Sequence, residues 1–212
     1  MRLRNITNAR KKLEQRPELI VLDPAQHSGQ WKKLFANNNP IYLEIGMGKG
    51  QFICCMSERL PDINFLGLEK YDSIALKALQ KLIVNPRPNV ILLRGEAENL
   101  LNYFSANEIQ RIYLNFSDPW PRKSNIKRRL TYSDFLDKYK NILAHGGDIH
   151  IKTDNRAFFE FTLRHMNEYG MAFDSISLNL HAEEPKSNIR TEYEISRSAA
   201  GALIYQLICR FK

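Results

Sequence analysis

No apolar run in this 212-residue chain approaches the ~20 residues that a membrane-crossing helix needs. Cysteine is scarce: Cys54, Cys55 and Cys209 are the three, too few and wrongly spaced for a disulfide framework or a zinc site. With no histidine partner suggested nearby, they read as small core residues rather than catalytic thiols. The opening Met1-Arg-Leu-Arg-Asn-Ile6 lacks the apolar stretch of a secretory signal, so the expectation is a reduced, cytoplasmic setting with no membrane and no metal. Internal repeats and low-complexity segments are also missing. Acids are outnumbered, 23 against 31 lysines and arginines, giving a net charge of +8. That excess suits a partner with a phosphate backbone or an anionic surface, although many basic proteins carry it simply for solubility. Apolar residues at 43% exclude a largely disordered chain and indicate one globular domain.

The basic opening stretch (Arg2, Arg4, Arg10, Lys11, Lys12, Arg16, with Pro17 and Pro24) is expected to be an arm, residues 1–39, packed on a single domain, residues 40–212. Within the latter, apolar runs at 41–45, 63–68, 90–93, 112–116 and 149–152 predict strands. Helical stretches at 51–60, 73–84 and 132–143 separate them, and Gly146-Gly147 is expected to turn the chain before the fifth strand. Strands spaced by helices of that length indicate parallel pairing with right-handed crossovers, hence a layered α/β fold. The end differs: 172–180 and 202–211 read as two β stretches with no helix between them, an antiparallel hairpin at a sheet edge.

Chemistry gathers where strands end. In Leu43-Glu-Ile-Gly-Met-Gly-Lys-Gly50, Gly46, Gly48 and Gly50 let the backbone turn sharply and approach a ligand before a helix begins. The spacing is not that of dinucleotide folds, and Glu44 would repel a pyrophosphate, so a cationic nucleoside-like cofactor fits better; a tight turn is the bland alternative. Glu69 closes the second strand 23 residues after Gly46, placed to accept ribose hydroxyls, and Glu96 in Arg94-Gly-Glu-Ala97 stands after the third, placed to meet an adenine amine. Taken singly, a strand-end acid is more often a solvated loop residue or a helix cap. Ligands of open α/β sheets bind beyond the carboxyl ends of strands, and Glu44, Glu69, Glu96 and Asp118 all fall there.

Asp118 belongs to the most telling run, Ile112-Tyr-Leu-Asn-Phe-Ser-Asp-Pro-Trp-Pro121, in which an apolar strand ends in a carboxylate between rigid and aromatic residues. Arg122, Lys123, Lys127, Arg128 and Arg129 follow, five cations in eight residues without an acid. Carboxylate, flat ring and basic cluster together suggest a purine base and its phosphates, against the alternative of a solvated loop. Asp154, in Lys152-Thr-Asp-Asn155, is either a second grip on the base or the cap of the next helix.

These residues resemble the bacterial tRNA (guanine-N7)-methyltransferases, the TrmB family, along nearly the whole chain. The resembling pieces are Leu43 to Gly50, Gly67-Leu-Glu69, Ile112 to Pro121, Lys127-Arg-Arg-Leu-Thr131, Ile151-Lys-Thr-Asp-Asn155 and Thr191-Glu-Tyr-Glu194. The resemblance implies a Rossmann-like class I fold that uses S-adenosylmethionine, with a mostly parallel sheet and an antiparallel C-terminal edge. It also implies that Glu44, Gly46, Gly48, Gly50, Glu69, Glu96 and Asp118 hold the cofactor, Asp118 being the catalytic candidate. Arg122, Asp154, Thr191, Glu192, Tyr193 and Glu194 would contact the substrate base, and Lys123 with Ser124, Asn125, Ile126, Lys127, Arg128 and Arg129 would touch tRNA. Two positions depart from the family pattern: Glu96, where Asp or Asn is usual, lengthens the reach to adenine, and Arg122, where Lys is usual, exchanges a point charge for a planar fork. The target implied is N7 of a guanosine in the variable loop. A noncatalytic RNA-binding protein on this fold, a methyltransferase with another acceptor and a nicotinamide-dependent oxidoreductase are the competing readings, the last opposed by the glycine spacing. The oligomeric state is open.

Overall fold

The structure is a computed structural model that describes residues 6–183, 185, 186 and 188–212. Its contacts divide the chain into two compact units, residues 1–105 and 106–212.

The first unit runs α1 (Ala9–Leu13), β1 (Ile20–Val21), α2 (Trp31–Phe35), β2 (Ile41–Ile45), α3 (Gln51–Arg59), β3 (Asn64–Glu69), α4 (Asp72–Val84), β4 (Val90–Arg94) and α5 (Leu100–Tyr103). Its four strands pair in parallel in the order β1-β4-β3-β2. Every residue of β3 is buried, the signature of a strand covered on both faces. Helix α4 shows the matching logic: Ala75, Leu76, Ala78, Leu79 and Leu82 recur at helical spacing and are all buried. Arg2 and Arg4 of the basic opening stretch lie outside the described residues. From Ile6 onward that stretch is tied down, with the Ile6 amide on Ser73 Oγ at 2.8 Å and β1 paired to β4, Ile20 opposite Leu92. Trp31 is wholly buried, its indole N–H donating to the Tyr103 carbonyl at 2.8 Å. The sequence reading placed no strand before residue 41, because two residues carry no periodicity.

The second unit runs β5 (Ile109–Asn115), α6 (Ser133–Ile142), β6 (Leu143–Thr153), α7 (Arg156–Glu168), β7 (Ala172–Ser177), α8 (Leu180–Glu183), α9 (Glu192–Ala199) and β8 (Tyr205–Arg210). β5 pairs with β6 in parallel, and β8 lies between β6 and β7, antiparallel to both. The expected antiparallel edge is therefore present, but two helices, α8 and α9, stand between its strands where none was expected. Gly146-Gly147 also behaves differently. The strand runs through it, and between the pairs Ile109/Leu143 and Arg111/Asp148 two steps of β5 match five of β6, so the glycines form a bulge. A Cβ at Gly147 would stand 2.8 Å from the Gln110 carbonyl. Beyond the bulge, register is pinned by the Arg111 fork on Asp148, at 2.6 and 2.8 Å.

The mixed α/β architecture expected is present: pairing is parallel throughout the first unit, and the second joins one parallel pair, β5 with β6, to the antiparallel C-terminal edge. Gly50, at φ +73°, begins α3 so close to α4 that a Cβ would lie 2.8 Å from the Ala78 Cβ. Replacing Gly50 by Ala is expected to cost about 2–4 kcal/mol through left-handed strain and overpacking, read from chemical denaturation.

Candidate active site

In the first unit, the acids and glycines expected to hold a cofactor gather at the carboxyl ends of three neighbouring strands. As β2 ends, the amides of Gly46 and Met47 both donate to the Leu68 carbonyl of β3, at 2.8 and 3.1 Å. The chain then turns through Gly46 (φ +77°) and Gly48 (φ +59°), where an added Cβ would meet nothing within 4 Å. These two glycines leave open space, whereas Gly50 serves packing. Glu69, at the end of β3, is buried and locks this loop: its carboxylate accepts the Gly48 amide at 3.2 Å and the Tyr71 amide at 3.0 Å. Burial pushes the Glu69 carboxyl above its ordinary range, and backbone donors at Tyr71, Gly48 and Lys70 only partly offset that. Glu44 is buried on β2 opposite Gly67 of β3. Glu96 follows β4 and is exposed, its amide donating to the Tyr103 hydroxyl at 3.4 Å. An open backbone cradle edged by three carboxylates fits a group carrying hydroxyls, an exocyclic amine and a positive charge.

In the second unit, β5 gives way to a segment whose backbone is strained at two points: Phe116 has φ +53° and Trp120 φ +40°. The Phe116 amide donates to the Lys152 carbonyl at 2.7 Å, and Asp118 two residues later is exposed. Pro119 and Pro121 bring no amide donors, so the loop needs help from elsewhere. Arg129 supplies it. This residue, expected to touch RNA, is buried, with its guanidinium donating to the carbonyls of Pro119 at 2.8 Å and Trp120 at 3.1 Å. It lies 4.2 Å from the Phe161 ring centre, and desolvation holds its pKa below the usual value. The other basic residues point outward. Lys123, Ser124, Lys127 and Arg128 are exposed on a short 3-10 turn, Lys123–Arg128, with Asn125 and Ile126 half-buried and Arg122, exposed, immediately before it. Arg128 stacks over Trp120 at 5.0 Å.

Asp154 and residues 191–194 are brought together on the same unit. Asn155, not Asp154, caps α7, its side chain accepting the Phe158 amide at 2.9 Å. That leaves the Asp154 carboxylate to Arg197 Nε at 2.6 Å and the Tyr193 hydroxyl at 3.4 Å. Tyr193 is half exposed, and its ring packs against Phe116 with centres 5.1 Å apart. Thr191 and Glu194 form a reciprocal cap on α9, Thr191 Oγ1 accepting the Glu194 amide and Glu194 accepting the Thr191 amide. Glu192 is half-buried, and Glu194 is wholly buried against Lys152, 2.6 Å away. Lys152, Arg197 and Phe116 were not singled out in the sequence. Lys152 left a signal, a lysine at the buried end of an apolar strand, as did the Thr-x-x-Glu spacing that opens α9.

Comparison with known proteins places this arrangement in a class. Residues 38–207 match the family model Methyltransf_4, a methyltransferase family. Among solved structures, one described as an antibiotic-related methyltransferase aligns with a TM-score of 0.63 at 15% identity, covering 89% of this chain and 94% of the other. A SAM-dependent methyltransferase from Aquifex aeolicus aligns at 0.56 and 14% identity over 96% of both chains. The fold is thus that of the methyltransferases. A tRNA (guanine-N(7)-)-methyltransferase of Exiguobacterium sp. is 47% identical over all 212 residues and 99% of its own length. One from Streptococcus gordonii is 45% identical over the full length of both chains. The chain belongs to the tRNA (guanine-N(7)-)-methyltransferase family.

If Arg129 is the tie of the Pro119–Trp120 segment, Arg129→Ala should lower stability by about 2–3 kcal/mol. It should also speed tryptic cleavage after residues 122–128. Ser124→Ala, an exposed change on the same turn that removes no cleavage site, should change neither, as followed by thermal melts and timed digestion.

Proposed function

We propose that this chain transfers the methyl group of S-adenosylmethionine to N7 of a guanosine in tRNA, in the variable loop, within the cytoplasm. The observation that carries the reading is the end-to-end match to tRNA (guanine-N(7)-)-methyltransferases, 47% identical over 212 residues. The open space above Gly46 and Gly48, with Glu69 locked beside them, fits the cofactor that this reaction requires. Glu44, Glu69 and Glu96 would hold it, Glu69 at the ribose hydroxyls and Glu96 at the adenine amine. S-adenosylmethionine supplies, when bound, an electrophilic methyl group on a sulfonium. No membrane-crossing helix and no metal-binding cluster of His, Cys, Asp or Glu occurs among the described residues.

Guanine N7 carries an in-plane lone pair and no proton, so its attack needs no general base. The protein's task is alignment and charge. Positive charge develops on the purine ring as N7 is alkylated, and an exposed carboxylate at Asp118 favours that charge and accepts from the N1 and N2 edge. Tyr193, half exposed and backed by Phe116, offers a face for a base drawn out of the folded RNA. Arg122, Lys123, Lys127 and Arg128, exposed and outside the inward bonding of Arg129, hold phosphates without reading sequence.

The direct test is transfer of labelled methyl from S-adenosylmethionine to unmodified bulk tRNA, with nucleoside mass spectrometry of the product. Appearance of 7-methylguanosine is expected. Binding of RNA without turnover would instead support a noncatalytic RNA-binding protein, and cofactor binding without tRNA methylation would support another acceptor. Asp118→Ala should lower turnover by about 100-fold or more with the melting curve unchanged. Replacing Lys123, Lys127 and Arg128 together by Ala should weaken tRNA binding and reduce the slope of log affinity against log salt by about 2. An unchanged slope would return those charges to the solvated surface.

A further inference from the structure

We propose that Lys152 is the positioning residue of the acceptor-base grip, and that Glu194 acts through it rather than by touching guanine. The inference rests on the methyltransferase reading above and concerns how its base-binding segment is built.

Lys152 sits near the end of β6 with its side chain 4% exposed, and that of Glu194 is 0% exposed. A buried ammonium is tolerable only when its donors are met. Here three bonds go to one short stretch of chain: Glu194 Oε2 at 2.6 Å, Asn188 Oδ1 at 3.1 Å and the Ile189 carbonyl at 2.9 Å. One cation therefore gathers three points between residues 188 and 194.

Glu194 is fully occupied in turn. Oε2 takes Lys152 and the Thr191 amide at 3.2 Å, while Oε1 pairs with His181 Nε2 at 2.8 Å and accepts from the Asn188 side-chain Nδ2 at 3.1 Å. A carboxylate offers about four acceptor positions, and four protein partners fill them. Neither exposure nor capacity is left for the N1 and N2 donors of guanine. Burial alone would push its carboxyl up, but Lys152 first, then His181 and Asn188, hold it below the usual range.

What the pair fixes is the start of α9. Two side chains of that helix, Tyr193 and Arg197, converge on Asp154 at 3.4 and 2.6 Å, and Tyr193 rests on Phe116. Lys152 lies two residues before Asp154 on the same strand end. A shift in the Lys152–Glu194 contact would move Tyr193 and Arg197 against a carboxylate that stays on its own strand end.

The test is a double-mutant cycle with Lys152→Met, Glu194→Leu and the two combined, read as kcat and KM for unmodified tRNA, with the S-adenosylmethionine Kd and thermal melting measured alongside. Each single change is expected to lower kcat/KM about 100-fold, chiefly through the KM for tRNA, with the cofactor Kd within about twofold of wild type. The combined variant, which buries no unpaired charge, should be no worse than the poorer single one. Should a single variant fail to fold, Glu194→Gln serves: it keeps the shape and one accepting oxygen, and is expected to lose less kcat/KM than Glu194→Leu, again through the KM for tRNA with the cofactor Kd within about twofold of wild type. Losses that multiply in the combined variant, a Lys152→Met protein within twofold of wild type, or a Glu194→Gln loss as deep as that of Glu194→Leu would each overturn the inference while leaving an active enzyme. Absence of 7-methylguanosine from the wild type would overturn the functional reading, and this inference with it.

Discussion

A charge taken out of water must be met by partners inside the protein, and in this chain that requirement is turned to holding loops in place. Glu69, Arg129 and the Lys152–Glu194 pair are buried, and each spends its hydrogen bonds on backbone or side chains of a segment that has just left a strand or is about to enter a helix. Strand ends are where the ladder stops supplying partners to peptide groups, so loops there hold one geometry only if side chains replace the ladder. A buried charge left without its partner costs several kcal/mol, which makes each contact difficult to give up.

The same requirement separates the basic residues into two kinds. Pro119 and Pro121 stiffen the segment around Asp118 but give it no amide donors, and with Phe116 and Trp120 both at positive φ it would not stay put unaided. Arg129 resolves this with two bonds to its carbonyls and a stack on Phe161. The cations left outside, Lys123, Lys127 and Arg128, meet solvent and are the ones a phosphate backbone would reach. A loop that is rigid within and charged without suits a structured RNA, since less ordering is left for binding to supply.

Much of this was legible in the sequence, because the signals were long or chemically costly. Apolar runs of about five residues separated by helical spacings fixed the parallel α/β pattern, and the glycines at 46, 48 and 50 stood where the chain does turn. The misses have physical reasons. Gly146-Gly147 reads as a turn because glycine usually breaks a strand, yet here it accommodates a bulge against the Gln110 carbonyl. Helix α9 was overlooked because Thr191-Glu-Tyr-Glu194 was read for its acids rather than for its capping spacing. Arg129 cannot be told from Arg128 by residue type alone, because what decides between them is Phe161, more than thirty positions away in the chain.

Glu69 and Glu194 show why residue type at a strand or helix end underdetermines role. Both are buried carboxylates near motifs that point to ligands. Glu69 is met by backbone amides, which hold its direction without neutralising it, and burial leaves its carboxyl above the ordinary range. Its charge is undercompensated, and a donor arriving from a ligand would find it receptive. Glu194 is met by an ammonium, an imidazole, an amide side chain and a backbone N–H, and its carboxyl is held below the ordinary range. Its charge is already spent. The difference between a carboxylate left open to a ligand and one that holds a wall in place is therefore set by how many donors the fold has supplied, and of the four on Glu194 only the Thr191 amide lies within the motif, the others coming from Lys152, His181 and Asn188.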